Sequence, residues 1–317
     1  MKNIITLSAL CAALIACNNN NANSSNANNG STTSADTEMV AQNPNILKLI
    51  QDCSWADFNF QDKIKKITEY TYEVEIDDNN NVKQGNLAEG DPILVKEFSP
   101  NGLLTRMANY SKNGETVVSE SFYEYNNKYQ LIAVKKKDSD SQSSESYEYS
   151  PEGFPTVCIS TYKDNYESSE SKKTYSVTVT PEGKKVIEKD TAHPDPNAHT
   201  VKYYNTKDLL IKEAVYNGTS QKPQIEFVYT YNDKNQCEKM EQIGNKSKKP
   251  FATSTFFYDK YGNTTKVIYN VPEGSDEPAQ YVENVIEYTY DAKGNVTQAT
   301  ISNPEDPSIR VYKIEYY

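Results

Sequence analysis

The residues that could do chemistry are few, and the two histidines of the chain are the first to consider. His193 and His199 flank Asp195 in a polar stretch that also contains two prolines. Imidazole and carboxylate groups are ligands for zinc or copper, but this composition is equally typical of a surface loop, and we predict a loop. The chain has no G-x-S-x-G or H-E-x-x-H motif for serine-nucleophile or zinc hydrolase chemistry. We therefore predict a non-enzymatic protein with no catalytic residues, metal or cofactor.

Carboxylate pairs are the one catalytic device that the sequence leaves open. The chain contains 44 acidic residues, and two suitably placed carboxyl groups are enough for glycoside hydrolysis. Most glutamates in the predicted strands alternate with tyrosines, so we expect them to face water. Hydrolysis of an envelope polysaccharide is retained as an alternative function.

The N-terminal residues predict a lipid attachment site at Cys17. Residues 1–16 have the layout of a signal peptide, with Lys2 as the positive charge followed by an apolar stretch from Ile4 to Leu14 that is too short to span a membrane. The sequence Leu-Ile-Ala-Cys at 14–17 matches the bacterial lipobox, in which the cysteine becomes the lipidated first residue. Because each buried CH₂ contributes about 0.8 kcal/mol, two or three acyl chains would anchor the protein almost permanently.

A tether and one folded domain are predicted to follow the anchor. Residues 17–43 are rich in asparagine and serine and nearly free of apolar side chains, which predicts disorder. Residues 44–317 are predicted to form a single β-repeat domain. Asn18 is not the aspartate that retains lipoproteins in the inner membrane under the outer-membrane sorting rule, so we predict the outer membrane. The neutral run that follows favours the periplasmic leaflet over the cell surface.

Charge and cysteine content argue against a nucleic-acid-binding protein and against a protein held together by a disulfide framework. The net charge is −11, and removal of Lys2 with the signal peptide makes it −12, so nucleic acid is not an expected partner. Three cysteines remain beyond the anchor, Cys53, Cys158 and Cys237. Their odd number excludes a full disulfide framework, and whether any two of them pair stays open.

A phrase containing tyrosine recurs along most of the chain and is clearest at 258–263 and 290–295. Each copy follows a stretch in which apolar and polar residues alternate, which predicts a strand with one buried face. A short polar segment with glycine or asparagine then predicts a hairpin turn. The spacing between copies, 24 to 32 residues, is typical of repeat proteins. The first strands of the copies end at Tyr125, Tyr149, Val179, Tyr204, Tyr231, Tyr258 and Tyr290, with a degenerate copy at Phe98.

These patterns predict an all-β fold. About eight antiparallel hairpins and a closing strand at 310–317 would form a large curved or spiralling meander sheet of roughly sixteen to eighteen strands. One short helix is expected at Pro44–Cys53, where apolar residues recur at helical spacing. The 25 tyrosines are expected mainly to stack across strands. Some of them, near Tyr203-Tyr204 or Tyr316-Tyr317, are candidates for a ligand-binding concave face.

The segments Tyr258–Asn263 and Tyr290–Asn295 resemble the YD repeats of RHS-type proteins, and looser copies extend the resemblance over about residues 95–317. The resemblance implies a β-hairpin array. Large RHS proteins close their repeats into a shell around a toxin and process it at an Asp-Pro core motif. The three Asp-Pro pairs here, at 91–92, 195–196 and 306–307, lack the glycine that this motif requires two residues later. We therefore expect a shorter, open sheet.

The predicted lipidation site and the predicted β-repeat fold together favour a membrane-anchored lipoprotein of the cell envelope. Its β-repeat domain would serve as a binding or scaffold surface for protein or glycan, attached to the membrane only through the N-terminal lipid. The alternatives are the polysaccharide hydrolase and, from the RHS resemblance alone, a component of a toxin system.

Overall fold

The computed structural model describes residues 59–79, 82–245, 249–274, 278–303 and 306–317, and the regular elements in these ranges are β-strands. The helix predicted at Pro44–Cys53 lies outside the described residues, as do the signal peptide and the tether. Nineteen strands follow one another: β1 (Ile64–Ile76), β2 (Val82–Leu87), β3 (Ile93–Phe98), β4 (Leu104–Tyr110), β5 (Val117–Tyr125), β6 (Leu131–Asp138), β7 (Gln142–Tyr149), β8 (Pro155–Lys163), β9 (Ser168–Thr180), β10 (Gly183–Asp190), β11 (His199–Asn205), β12 (Leu210–Tyr216), β13 (Ile225–Tyr231), β14 (Cys237–Gly244), β15 (Pro250–Tyr258), β16 (Thr264–Val271), β17 (Gln280–Tyr290), β18 (Val296–Ser302) and β19 (Ser308–Tyr316).

The sheet closes into a barrel through β1. This strand pairs with β19 from Ile64 to Glu73 and, on its other side, with β3 from Lys66 to Glu69. From β3 to β19 each strand pairs antiparallel with the next one in the chain, which gives a ring of 18 strands. The remaining strand, β2, pairs with the distal half of β1. Its short length, its Lys83 and its register shift are features that protect a sheet edge from pairing with other chains.

The predicted topology, an open curved or spiralling meander, is wrong. The repeats specify hairpins between neighbours in sequence, and they specify them correctly. Closure depends instead on β1, which precedes the recognisable repeats, and on β19, which follows them. Their mutual pairing satisfies the backbone groups that an open sheet would leave at its two edges. The alternating pattern of a strand is the same at an edge and inside a ring, so it does not reveal this pairing.

Seven hairpins share one turn, which explains the recurring phrase. In each turn the first residue donates its N–H to the carbonyl of the fifth, and the fourth residue has a positive φ. An Asn or Asp in first position also accepts the N–H groups of the third and fifth residues through its side chain; in the turn after Tyr290, Asp291 accepts from Lys293 at 2.9 Å and from Asn295 at 2.8 Å. This is the Asx type of turn closure. The seven turns begin at Ser99, Asn126, Ser150, Asn205, Asn232, Asp259 and Asp291.

Six of the seven turns are preceded by a tyrosine, and except at Tyr204 this tyrosine links its hairpin to the preceding one. Its hydroxyl donates to the carbonyl of the residue just after the preceding turn: Tyr125 to Leu104 at 2.8 Å, Tyr149 to Leu131 at 2.6 Å, Tyr231 to Leu210 at 2.7 Å and Tyr258 to Cys237 at 2.6 Å. Tyr290 and Tyr316 donate instead to the carboxylates of Asp259 and Asp291. The repeated tyrosine is therefore a structural residue at this end of the barrel, which we call the turn end.

The segment before β1 reinforces the closing seam at the turn end. Gln61 exchanges two hydrogen bonds with the buried side chain of Asn295, receiving one at its carbonyl at 3.1 Å and donating its N–H at 2.5 Å. Phe60 is buried and packs edge-on against Tyr312, with ring centroids 6.3 Å apart. Around Phe60 lies the largest apolar cluster, formed by side chains of β1, β3–β7 and β19.

The two faces of the barrel wall differ in character. In β7, Ser146 and Glu148 are exposed while Glu145, Tyr147 and Tyr149 are half-buried, and the less exposed positions are those that point inward, where side chains converge. The outward face carries cross-strand ion pairs such as Lys135–Glu124 at 2.5 Å and Lys266–Glu283 at 2.6 Å. Charged side chains on a lipid-facing barrel wall cost about 2–4 kcal/mol each near the bilayer midplane, so this outward face is suited to water.

Candidate binding site on the inward face

A cluster of titratable side chains lies on the inward face of β9–β12. Strand register brings its members together: Tyr175 pairs with Glu188 across β9 and β10, and Lys202 pairs with Glu213 across β11 and β12. Tyr204 lies two residues from Lys202 on the same strand face. We call this cluster the inner polar site; it consists of Lys173, Tyr175, Glu188, Lys202, Tyr204 and Glu213.

Glu188 is the fully compensated carboxylate of the site. Lys173 and Lys202 both place their Nζ atoms 3.2 Å from its carboxylate oxygens. Burial by itself would raise the pKa of Glu188, but the two lysines outweigh it and hold that pKa below its ordinary value. Glu188 is therefore ionised at neutral pH and draws both lysine charges toward itself.

Glu213 is the uncompensated carboxylate. It is half-buried, and no residue in the described part of the chain forms an ion pair or hydrogen bond with its side chain. Burial raises its pKa, Lys202 lowers it, and the negative charge of Glu188 raises it further, so the pKa of Glu213 lies above its ordinary value. Lys202 is its partner in strand register, yet the Lys202 ammonium is directed to Glu188. Two carboxylates on strands two positions apart thus have pKa values displaced in opposite directions.

Two tyrosine hydroxyls in the site also lack partners among the described residues. Tyr204 is only 7% exposed, and neither it nor Tyr175 forms a side-chain hydrogen bond. Burial raises the pKa of both phenols, so both stay protonated and able to donate. Neither hydroxyl is among the fully buried polar atoms that lack a partner in the described residues, which are Ser254 Oγ and Asn284 Oδ1, so both hydroxyls stay within reach of solvent or a ligand.

The free hydroxyl of Tyr204 has a local cause. Tyr204 precedes a turn of the common type, but the preceding hairpin, β9–β10, is shorter: Thr180 and Gly183 pair directly, and Val179 stands where a tyrosine is expected. A Cβ on Gly183 would lie 1.9 Å from the Tyr204 carbonyl oxygen, so β11 packs against this turn more closely than any side chain would allow. The link that other turn tyrosines form is missing here. The repeat is irregular where the inner polar site lies.

A second group of titratable residues borders the site on β7 and β8. Tyr147 donates to Glu145 at 2.5 Å, and it pairs in register with Cys158. Cys158 is buried, and burial raises the pKa of its thiol, so it is a packed thiol of low reactivity. Cys158 and Cys237 are both unpaired and buried, and Cys53 lies outside the described residues.

The residues considered from the sequence are scattered. His193 lies on the exposed β10–β11 connection, where its ring contacts the backbone of Asp195. His199 is the first residue of β11 and is half-buried, and its ring stacks on Tyr216 with centroids 4.6 Å apart. In the described ranges no three His, Cys, Asp or Glu side chains converge as a metal site. The predicted lipidation site, Cys17, lies outside the described residues. No helix in the part of the chain that the structure describes is long and apolar enough to cross a membrane.

Sequence reasoning missed Glu188 and Glu213, because the strand glutamates were expected to face water. One signal was available for Glu188: it is two residues from Val186, so the two share a face, and Val186 is fully buried. Of the tyrosines singled out as ligand candidates, Tyr204 belongs to the site. Tyr316 and Tyr317 do not, since their hydroxyls bond to Asp291 and to the Phe98 carbonyl.

Comparison with known proteins gives distant structural likenesses. No family model matches the chain, and no curated protein matches it by sequence. A porin-like protein from Bacteroides uniformis aligns with a TM-score of 0.39 and 14% identity, over 80% of this chain and 98% of that one. A porin-like protein from Bacteroides vulgatus gives 0.34 and 9%, over 81% and 99%.

The RHS-related likeness is of the same order. The TcdB2-TccC3 structure aligns with a TM-score of 0.32 and 11% identity, over 79% of this chain but only 15% of that one. All of these scores lie below 0.5, so the functional argument rests on the side chains of this chain.

Proposed function

We propose that this chain is a non-enzymatic, membrane-anchored lipoprotein of the cell envelope that binds a protein or glycan ligand on the inward face of its barrel. The observation that carries the proposal is the inner polar site, where Glu213, Tyr175 and Tyr204 have no partners among the described residues. Their polar atoms are not among the fully buried unpartnered atoms of the described residues, so a ligand that enters the barrel can form hydrogen bonds with all three groups from a pre-formed wall.

Binding of purified mature protein to a panel of envelope glycans and peptides tests the proposal. We expect Glu213→Gln to weaken binding of any captured ligand about tenfold or more, because the site loses its one uncompensated charge. The matched control is Glu287→Gln, an exposed glutamate on β17, which should leave binding unchanged. If both variants bind like the parent protein, the inner polar site is not the binding surface.

Lipid attachment and membrane location are tested separately. Metabolic labelling with a fatty acid should tag the parent protein and leave Cys17→Ala unlabelled and released from the membrane fraction. We propose the periplasmic leaflet of the outer membrane, so protease should reach the barrel only after the outer membrane is permeabilised. Digestion on intact cells would place the barrel at the cell surface instead.

Hydrolysis of a polysaccharide is a second candidate function, and one observation favours it. The pKa of Glu213 is raised and that of Glu188 is lowered, which is the arrangement in which one carboxyl acts as an acid and the other stays ionised. Release of reducing ends from an envelope polysaccharide, abolished by both Glu213→Gln and Glu188→Gln, would establish hydrolysis. Stoichiometric binding without product would exclude it.

A further inference from the structure

One of the two carboxylates in the inner polar site lacks a cationic partner. The carboxylate of Glu188 has two ammonium groups within 3.2 Å, whereas Glu213 has none among the described residues. The side chains of Glu188 and Lys202 are 19% and 21% exposed, so the site is shielded but reachable. In such surroundings an unpaired carboxylate is best stabilised by a cation that also forms hydrogen bonds.

The hydroxyls of the site point to a second requirement of the ligand. Tyr204, nearly buried, and Tyr175, half-buried, can each donate and accept one or more hydrogen bonds. Both lie on the same inward face as Glu213, on the two strands that flank β10. A bare metal ion would leave the donors of the two phenols unused. A simple aliphatic amine would leave both phenols without a partner.

We propose that the inner polar site binds an amino sugar, with the ammonium group of the sugar against Glu213 and its ring hydroxyls against Tyr175 and Tyr204. This inference rests on the proposed binding function and narrows its ligand to a glycan that carries free amines. Aromatic rings beside a carboxylate suit such a ligand, because the apolar face of a sugar packs on a ring while its polar edge is hydrogen-bonded.

The electrostatics of the neighbours support the assignment. The titratable groups facing Glu213 are Lys202 and Tyr204 on β11 and Glu188 on β10, while its register partner on β13 is the uncharged Phe227. The pKa of Glu213 is raised in the free protein, and a bound ammonium would lower it. Binding should therefore strengthen as pH rises through the Glu213 pKa, and this dependence should vanish in Glu213→Gln.

Three β-1,4-linked tetrasaccharides of equal length provide a matched test. They differ only at C2, which carries an ammonium in the glucosamine tetramer, an acetamide in the N-acetylglucosamine tetramer and a hydroxyl in the glucose tetramer. With the full mature chain in calorimetric titrations, we expect the glucosamine tetramer to bind at least about tenfold more tightly than the other two. Glu213→Gln should remove this preference, Tyr204→Phe should weaken all binding several-fold, and Glu287→Gln should change nothing.

The outcomes separate this inference from the proposed function. Equal binding of all three tetramers, abolished by Tyr204→Phe, would keep the glycan-binding function and overturn the amine requirement. Equally tight binding of a tetralysine peptide would overturn the sugar assignment. A glucosamine preference that persists in Glu213→Gln would reflect general attraction to the acidic chain and would also overturn the inference. Binding to none of the probes would overturn it, and the glycan and peptide panel would then decide the broader proposal.

Discussion

The turn end of the barrel and the inner polar site use the same residue type in opposite ways. At the turn end, Tyr231 and Tyr258 donate to backbone carbonyls of the preceding hairpin. In the inner polar site, Tyr204 comes from the same position of the repeat, yet its hydroxyl has no partner among the described residues. The repeated tyrosine therefore has a structural role at the turn end, and a candidate for function is found where the repeat loses its regular contact.

The cause of that difference is the β9–β10 hairpin. Its turn is shortened and closes at Gly183, and the Tyr204 hydroxyl does not form the bond that other turn tyrosines make to the carbonyl after the preceding turn. Nearby, Val179 replaces the expected tyrosine and is 63% exposed. A stretch that has lost its structural tyrosine contacts retains a carboxylate and two phenols with free hydrogen-bonding capacity.

The largest effect is expected from Gly183→Ala. A Cβ at this position would lie 1.9 Å from the Tyr204 carbonyl oxygen, and the φ of Gly183 is +141°, which side chains rarely adopt. Because the obstacle is backbone, β11 would have to move away from β10, and we expect a loss of about 3 kcal/mol or more in the free energy of unfolding. Denaturant unfolding of the purified chain measures it.

The control for Gly183 is Gly90→Ala. Gly90 also has a positive φ, +87°, but a Cβ there would meet nothing within 4 Å, so only the backbone preference is lost, at about 1 kcal/mol. Equal losses for the two variants would show that the close approach of β11 to the shortened turn has no energetic importance. The proposed origin of the free Tyr204 hydroxyl would then be wrong.

The two kinds of tyrosine should differ in what the loss of the hydroxyl costs, and both effects should be smaller than that of Gly183→Ala. Tyr231→Phe removes the hydrogen bond to the Leu210 carbonyl at 2.7 Å and should cost about 1 kcal/mol. Tyr204→Phe removes a hydroxyl that bonds to no described residue and should cost roughly nothing. Midpoints of urea unfolding at unchanged slope distinguish the two. A loss of similar size in both variants would mean that Tyr204 forms a structural contact after all.

Some features of the fold and of the site are predictable from the sequence and others are not. The turn at Asp291 was predictable, because Asp, Gly and Asn at fixed offsets dictate the hydrogen bonds that the turn forms. The closure of the barrel was not, since Ile64–Glu73 in β1 has the same alternation whether it pairs with β19 or lies at an edge. Nor was Glu213 predictable: its environment comes from Lys202 and Glu188 on neighbouring strands, and those contacts depend on a register that local pattern does not fix.

The smallest predicted effect is a pH dependence of stability with opposite signs at the two carboxylates. The folded-state pKa of Glu213 is raised above its ordinary value of 4.5, so its contribution is fully present below that pH and is lost as pH rises through the folded pKa. Glu213→Gln should therefore gain stability relative to the parent as pH rises above about 4.5. The folded-state pKa of Glu188 is lowered below its ordinary value of 4.5, so Glu188→Gln should be less stable than the parent near neutral pH. The difference in stability between this variant and the parent should shrink as pH falls through the folded-state pKa of Glu188. Urea unfolding at a series of pH values measures the stability of both variants and the parent. If stability changes with pH in the same way in Glu213→Gln and Glu188→Gln, Glu213 has a cationic partner like Glu188, and the amino-sugar site loses the unpaired carboxylate on which it depends.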